Sequence, residues 1–438
     1  MFAIPGALRY HSRLESERAK EPTVALIVQK YGGTSVATPE RIRAVAERVL
    51  RTQRKGNQVV VVVSARGGMT DELLELARQV SPNPPPRELD MLLATGEQQS
   101  IALLAMALHD LGGSAISLTG LQVGILTDSI HGKARIRGIR ADRVREELAG
   151  GRIVIVAGFQ GVDENDNITT LGRGGSDTTA VAVAVALDAD VCEIYTDVDG
   201  VYTADPRVVP NARKLRRISH EEMLELASLG AGVLQSRSVE FAKKYGMAIH
   251  VRSSFNDEPG TIVCEESEAM EEMEGVTIRG ATINRTEAKV TIVAVPDRPG
   301  VAATLFGALA DNHVNVDMIV QNIGRDGRTD MSFTVAHADL EAAKRVCEGL
   351  LAKLGAQGVL ADHNIAKVSV VGVGMRSHYG IAATMFKALA DAGVNIQMIS
   401  TSEIKISAVV AAEDGDKALR AVHDAFNLGE QPDIEETI

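Results

Sequence analysis

The sequence predicts an α/β protein of several domains: a sheet buried on both faces, then two small βα-type domains in tandem. Three observations lead there. Up to about Phe255, Val/Ile-rich runs closed by Gly, Ser or Asp alternate with helical patterns. Continuous apolar strands alternating with helices mark a sheet covered on both sides, an α/β sandwich. Further on, "GVAATLFGALADNHVNVDMI" from Gly300 returns as "GIAATMFKALADAGVNIQMI" from Gly380, 80 residues later. Self-similarity of that length marks an internal repeat. The 438 residues also exceed what one compact core accommodates.

Taken in order, residues 1–22 form a polar leader without the apolar core of a signal peptide, expected to be poorly ordered. A first domain over 23–266 follows. Its strands are read in "VALIVQKYGG", "QVVVVVSARGG", "AISLTG", "GRIVIVAGFQGV" and "DVCEIYTDVDG". Its helices are read in "RIRAVAERVL", "DELLELARQV" and "ATGEQQSIALLAMALHDLG". "SPNPPPREL" is expected as a surface loop, because proline breaks both helix and central strand. The acidic "CEESEAMEEMEG" reads as a linker or short solvated helix, placed at 267–287. The repeats then occupy 288–362 and 363–438, with the chain end a candidate to pair back onto the first. Each repeat helix follows a strand, "KVTIVAV" or "KVSVVGV", and carries apolar residues at helical spacing: Leu305 and Leu309, then Met385 and Leu389.

Composition excludes several classes. Apolar residues make up 45%, which argues against wholesale disorder. Aromatics are 3% and tryptophan is absent, against a base-stacking nucleic-acid platform. The formal net charge is −12 with no basic stripe, so neither nucleic acid nor another polyanion is the expected partner. Cys192, Cys264 and Cys347 are scattered, giving no metal cluster and no disulfide framework. A reducing cytoplasm fits them. No apolar run is expected to cross a membrane.

The chemistry gathers at strand ends. In "VQKYGGTSV", Lys30, Gly32, Gly33, Thr34 and Ser35 lie between a strand and a helix. A phosphoryl group in transit needs a cation and backbone N–H donors, and glycines let the backbone come close. The pattern is not the P-loop, whose lysine follows its glycines. Taken alone, an ordinary strand-to-helix turn explains it equally well. "TLGRGGSDTTA" repeats the arrangement with Arg173, Gly174, Ser176 and Asp177, and an arginine there suits a carboxylate. Two such turns can face one crevice at the strand ends. "YTDVDGVYTADPR" supplies Thr196, Asp197, Tyr202 and Arg207, for a nucleotide or simply an acidic loop. Ser219 and Glu222 read as a capping box. "DENDN" at 163–167 reads as a hairpin turn, and His131, His220 and His313 are given no chemistry.

In order along the chain, "KYGGTSV", "VVVVSARGGMTDELLELA", "MLLATGEQQS", "GFQGV", "TTLGRGGSDTTA", "YTDVDGVYTADPR" and "SFNDEPGTIV" resemble the aspartate kinases of the amino-acid kinase superfamily. The tandem repeat resembles their two ACT domains. The resemblance covers Val24 to about residue 425. It implies a three-layer αβα domain with a mainly parallel sheet, then two ferredoxin-like βαββαβ domains. It also implies ATP-dependent phosphorylation of the β-carboxylate of L-aspartate, the entry to lysine, threonine and methionine. A carboxylate acceptor is ionised at neutral pH and needs no general base.

By motif, Lys30, Gly32, Gly33, Thr34 and Ser35 are expected to hold the phosphoryl group, with Asp177 orienting Lys30. Arg173 is expected to take a substrate carboxylate, Glu97 its ammonium. Ser64, Thr70, Gly174 and Ser176 are expected to line the aspartate pocket. Thr196, Asp197, Tyr202 and Arg207 are expected on ATP, and Mg²⁺ on ATP phosphates without protein ligands. One departure stands out: the family's usual "GAKVL" lysine is Gly232 here. Lys214 is the expected substitute.

The repeats imply feedback inhibition by lysine, threonine or both. The residues matching the effector loop are Asp297, Arg298, Pro299, Gly300, Asn315, Asp317, Gln321 and Asn322. In the second copy Met375, Asn395, Ile396, Ser400, Thr401 and Glu403 fall in comparable places, without the "VPDRPG" character of the first. A homo-oligomer through the ACT domains is expected, with an internally started regulatory subunit near Met270 or Met273 as an option. No fused homoserine dehydrogenase module is expected. The competing readings are a kinase for another acceptor, such as acetylglutamate or a nucleotide monophosphate, and a non-enzymatic amino-acid sensor. A role of the repeats in dimerisation alone also stays open.

Overall fold

A computed structural model describes residues 24–230, 232–269, 277–321, 327–373, 375 and 379–430. They divide into two compact units. The first takes the chain up to Val201, Lys214–Ala227 and the residues from Gly232. The second takes Tyr202–Arg213, residues 228–230 and the chain from Thr277 onward.

The first unit is built on an eight-stranded sheet. Its strands are β1 (Leu26–Tyr31), β2 (Gln58–Val63), β3 (Ala115–Leu118), β4 (Ile153–Ala157), β5 (Val191–Thr196), β6 (Arg217–Ser219), β7 (Ile249–Ser253) and β8 (Thr261–Cys264). Their order across the sheet is β6-β8-β7-β5-β1-β2-β4-β3, with only β7 and β8 antiparallel. The helices are α1 (Pro39–Gln53), α2 (Met69–Val80), α3 (Pro86–Asp110), α4 (Gly175–Leu187) and α5 (Ser236–Tyr245). Thr38 caps α1, accepting from Arg41 N–H, and Pro39 opens it.

Ile42, Val45 and Val49 of α1 and Ile101, Leu104 and Leu108 of α3 pack on Val59, Val61 and Val63 of β2. The opposite face is closed by α4, whose small apolar residues are buried almost all round. The three-layer αβα expectation is met. Two details differ from the sequence reading. The proline-rich loop ends at Pro85, and Pro86 opens α3, where a missing N–H costs nothing. And α3 is 25 residues long and apolar enough on average to cross a membrane, where no such stretch was expected. Its Ile101, Leu104 and Leu108 lie in the core just described.

The second unit holds two four-stranded sheets. One comprises β10 (Glu287–Pro296), β11 (Val316–Gln321), β12 (Arg328–Ala336) and β13 (Gly358–Asp362), in the order β11-β12-β10-β13. With α6 (Val301–Asp311) and α7 (Leu340–Leu354) this is a complete βαββαβ unit. The other comprises β14 (Ile365–Val373), β15 (Met398–Thr401) and β16 (Lys405–Ala411), with α8 (Ile381–Asp391) and α9 (Gly415–Ala425). Its fourth strand is β9 (Thr277–Asn284), in the order β9-β14-β16-β15.

The stretch 267–287, expected as a linker, therefore carries a strand of the second repeat domain. The second repeat has only three strands of its own among the described residues. β9 completes its sheet by pairing with β14 from Thr277 to Asn284. The acidic run before β9 hid it from a composition reading. Residues 431–438, where pairing back was anticipated, lie outside the described residues, as do Met270, Met273 and Asn322.

Candidate active site

In a parallel sheet the loops after the strands gather at one edge. β1 is parallel to both β2 and β5, and β2 to β4, so the loops after Tyr31, Val63, Ala157 and Thr196 share that edge. Two of these loops touch through their backbones. Gly67 N–H donates to Gly33 O at 3.0 Å. A Cβ at Gly33 would lie 2.8 Å from Ala65 O, so only glycine permits the approach. The turn before α4 carries Gly172 and Gly174 at φ of 79° and 71°. A Cβ at Gly174 would stand 1.9 Å from Gln235 Cγ.

These loops, with α2 and α3, enclose a cavity of about 610 Å³. Lys30, Gly33, Ser64, Thr70, Glu97, Arg173, Gly174, Ser176 and Asp177 all line it. Side-chain alternation along β1 puts Lys30 on the α4 side, and its Nζ lies 2.6 Å from Asp177 Oδ1 in the first turn of α4. Both side chains are largely buried, so each charge depends on the other. Gly32 leaves room here: a Cβ on it would lie 3.4 Å from Lys30 Nζ.

Glu97 is buried in α3. Its Oε1 accepts from Ala65 N–H at 3.0 Å, while Oε2 is buried without a hydrogen bond. Burial pushes its carboxyl up to about 7, against the pull of the Ala65 N–H. The group is poised to welcome a cation. Arg173 is exposed at the rim of the turn. The cavity thus offers a paired lysine, an arginine and a carboxylate lacking a cation.

The remaining expected residues lie elsewhere. Ser35 is buried and donates to Ser254 Oγ at 2.9 Å; Ser254 donates on to Thr196 O at 3.1 Å. Ser35 therefore ties the β1 loop to the ends of β5 and β7 and presents no free hydroxyl. Thr34 is exposed, and its carbonyl accepts from Arg41 Nη1 at 2.6 Å. Thr196 Oγ1 donates to Asp197 Oδ1 at 3.0 Å. Lys214 Nζ lies 3.3 Å from Asp199 and 3.8 Å from Glu258, so its charge is already engaged. Gly232 is exposed, with φ of 65°.

Tyr202 and Arg207 fall in the second unit. There Arg207 grips Asp205, at 3.0 Å through Nε and 2.7 Å through Nη2. The segment Tyr202–Arg213 docks on the second repeat domain. Ala204 and Val209 join its core. Thr203 O accepts from Ala281 N–H at 2.7 Å, and Thr203 Oγ1 pairs with His423 Nε2 at 3.0 Å.

The expected effector residues fare unevenly. Asp297, Arg298, Pro299 and Gly300 form an exposed turn before α6, with Gly300 at φ of 91°. Asn315 is exposed and Gln321 ends β11. Asp317 is bonded to Lys367 of β14, whose Nζ also lies 2.5 Å from Glu287 Oε1. In the second copy Met375 is buried in the apolar core and Ile396 packs against it, so neither offers a polar side chain. Asn395, Thr401 and Glu403 are exposed and Ser400 half-buried.

Asp90, Phe159 and Arg66 also line the cavity and were given no role in the sequence reading. Asp90 is buried and accepts from Thr170 Oγ1 at 2.6 Å, from Thr170 N–H and Gly132 N–H at 3.1 Å, and pairs with His131 Nδ1 at 2.8 Å. It fixes α3 to the strand that leads into the Arg173 turn. Phe159 holds φ of 67°, costly for a bulky side chain. Arg66 follows β2. Both Phe159 and Arg66 sat inside motifs already singled out, "GFQGV" and "SARGG".

Residues 25–253 match the model of the amino acid kinase family, and 289–348 and 368–426 match ACT domain models. The chain is 56% identical over 409 residues to an aspartokinase of Mycolicibacterium smegmatis, covering 93% of this chain and 97% of that protein. It is 57% identical over 405 residues to an aspartate kinase of Stutzerimonas stutzeri, covering 92% and 98%. Among solved structures, it superposes on E. coli aspartokinase III in complex with aspartate and ADP (R-state) with a TM-score of 0.76 at 25% identity, covering 91% and 99%. The same enzyme in complex with lysine and aspartate (T-state) gives 0.69 at 26%, covering 92% and 100%.

Proposed function

The chain belongs to the aspartate kinase family, and from that premise we propose that the 610 Å³ cavity holds L-aspartate while Lys30 stabilises the phosphoryl group in transit to it. The enzyme phosphorylates the β-carboxylate of L-aspartate, giving 4-phospho-L-aspartate. A carboxylate oxygen attacks the γ-phosphorus of ATP and the bond to the departing ADP oxygen breaks. No proton moves, so positioning and charge neutralisation carry the catalysis.

Lys30 faces the negative charge that develops on the phosphoryl oxygens, and Asp177 holds its ammonium in place at 2.6 Å. Gly32 and Gly33 keep the backbone close to the same group, at the sheet edge where β5 ends at Thr196 and Asp197 follows. Arg173 takes one carboxylate of aspartate and Glu97 its ammonium, with Ser64, Thr70, Gly174 and Ser176 shaping the wall. Among the described residues no cluster of three His, Cys, Asp or Glu side chains gathers as a metal site. Mg²⁺, which dehydrates reluctantly, is taken to ride on the ATP phosphates and offset their charge. Lys214 and Arg207, engaged by Asp199 and Asp205, are poor substitutes for the lysine absent at Gly232.

Feedback acts through the ACT domains, by lysine, threonine or both; the solved E. coli relative in its T-state holds lysine. The exposed Asp297–Gly300 turn is the candidate effector loop. An effector ammonium at Asp317 would have to displace Lys367. We place the enzyme in a reducing cytoplasm, which suits three scattered, buried cysteines. It assembles as a homo-oligomer through the ACT domains, with room for an internally started regulatory subunit.

The observation that carries this reading is one cavity holding the Lys30–Asp177 pair, Arg173 and the cation-seeking Glu97. Trapping of the acyl phosphate by hydroxylamine, with ATP and a panel of carboxylates, tests it. L-aspartate is expected to give hydroxamate and acetylglutamate none. The reverse would assign the site to another acceptor, and silence with every acceptor would favour a sensor.

A further inference from the structure

We propose that Arg66 is a substrate-binding residue of this site, taking the carboxylate of aspartate that receives the phosphoryl group. The proposal rests on the reading of the cavity as an aspartate site and adds a residue to it.

The charges of the cavity lead there. Lys30 is committed to Asp177. Asp90 spends its oxygens on Thr170, Gly132 and His131. Glu97 keeps one oxygen for a cation. Arg173 and Arg66 then remain among the lining residues, neither with a carboxylate partner among the described residues, beside Asp71, exposed in the first turn of α2. Aspartate brings two carboxylates and one ammonium. The two arginines match its carboxylates and Glu97 its ammonium, with Asp71 left exposed to solvent.

The position fits as well. Arg66 lies between two fixed points of the loop after β2. On one side Ala65 N–H is bonded to Glu97, the ammonium site, at 3.0 Å. On the other, Gly67 N–H is bonded to Gly33 of the phosphoryl loop at 3.0 Å. The backbone of Arg66 is held too, its carbonyl accepting from Met69 N–H at 2.9 Å. A carboxylate about to be phosphorylated must sit between ammonium site and phosphoryl loop, and the backbone of Arg66 stands there.

Its Nε is buried without a hydrogen bond, as for a donor whose acceptor arrives with the ligand. Arg66 also borders a smaller cavity of about 350 Å³ between α1 and α4's neighbour α3. The acid on that side, Asp110, is already paired with Arg43 at 3.1 Å. A guanidinium between two like-charged reactants lowers their repulsion as they meet.

The test compares wild type with Arg66→Gln and Arg66→Lys, by hydroxamate kinetics and by calorimetric titration of aspartate without nucleotide. In Arg66→Gln the KM for aspartate is expected to rise roughly 10- to 100-fold, with kcat reduced and the KM for ATP within about twofold of wild type. The calorimetric Kd is expected to weaken in parallel. Added salt is expected to weaken aspartate binding less in Arg66→Gln than in wild type. Arg66→Lys keeps the charge without the fork and is expected to recover part of the loss. Unchanged aspartate KM and Kd in Arg66→Gln would overturn the proposal and leave Arg66 as a wall between cavities. So would a loss confined to the KM for ATP, or an equal loss in both variants accompanied by a lower Tm. A wild type that binds aspartate yet forms no acyl phosphate would defeat the functional reading, while the calorimetric comparison still decides Arg66.

Discussion

Replacing Glu97 by glutamine is expected to disable the enzyme and stabilise it. Burial raises the carboxyl from an ordinary 4.5 to about 7. Between those values the folded protein holds a proton that the unfolded chain has released. Stability therefore falls as pH rises through that window, and the full cost stands above pH 7. A shift of about 2.5 units corresponds to about 3 kcal/mol. Glutamine escapes that cost and its Oε1 still accepts from Ala65 N–H. Its Nε2 inherits the unpartnered place of Oε2 and gives back about 1 kcal/mol. The net gain at pH 8 is about 2 kcal/mol, roughly 4–8 °C in Tm for a unit of this size.

At pH 5 wild-type Glu97 is mostly protonated and the gain should shrink toward zero. The same variant loses the partner of the substrate ammonium, which should raise the aspartate KM roughly 10- to 100-fold. Calorimetric melting at pH 5 and 8, beside hydroxamate kinetics, reads both effects. A Glu97→Gln protein that melts lower than wild type at pH 8, or keeps its aspartate KM, would refute this reasoning.

Three further outcomes are expected. In wild type the aspartate KM should fall about tenfold between pH 6 and pH 8 as Glu97 ionises around 7; a flat profile would remove Glu97 from the ammonium site. Gly174→Ala combines φ of 71° with a Cβ 1.9 Å from Gln235 Cγ, so the Arg173 turn must shift. Its aspartate KM should rise at least about tenfold while its ATP KM holds, measured by initial rates. Lys214→Ala should change the ATP KM by less than about twofold, because Asp199 and Glu258 already hold that charge in a partly exposed pair; a tenfold rise would restore Lys214 as the stand-in for the missing lysine.

Much of this molecule was legible in its sequence, for physical reasons. Unbroken valine runs need cover on both faces, which gave the sheet and its helices. Glycines at strand ends marked the loops that touch, since Gly33 and Gly174 admit no Cβ. The capping box formed as read, with Glu222 Oε2 accepting from Ser219 N–H at 3.1 Å. His220, given no chemistry, is buried with Nε2 3.0 Å from Met247 O.

What was missed depends on distant partners. β9 belongs to a sheet whose other strands begin more than eighty residues later in the chain. Tyr202–Arg213, read as part of a nucleotide motif, also seats its apolar side chains in the second repeat domain, a packing role that no local pattern signals. Asp90 carries no local signal because its hydrogen-bond partners lie 41 to 80 residues away. Met375 was matched by position, and its thioether lies in the core of the second repeat domain, a burial its neighbours along the chain do not signal.

The central claim is that Lys30 and Arg173 serve the two halves of one reaction in one cavity. Hydroxamate kinetics on Lys30→Gln and Arg173→Gln test it most directly, since glutamine at 30 can still donate to Asp177. Lys30→Gln is expected to lower kcat about 10²- to 10³-fold with little change in the aspartate KM. Arg173→Gln is expected to raise that KM roughly 10- to 100-fold. Two variants that retain wild-type kcat and aspartate KM would contradict it.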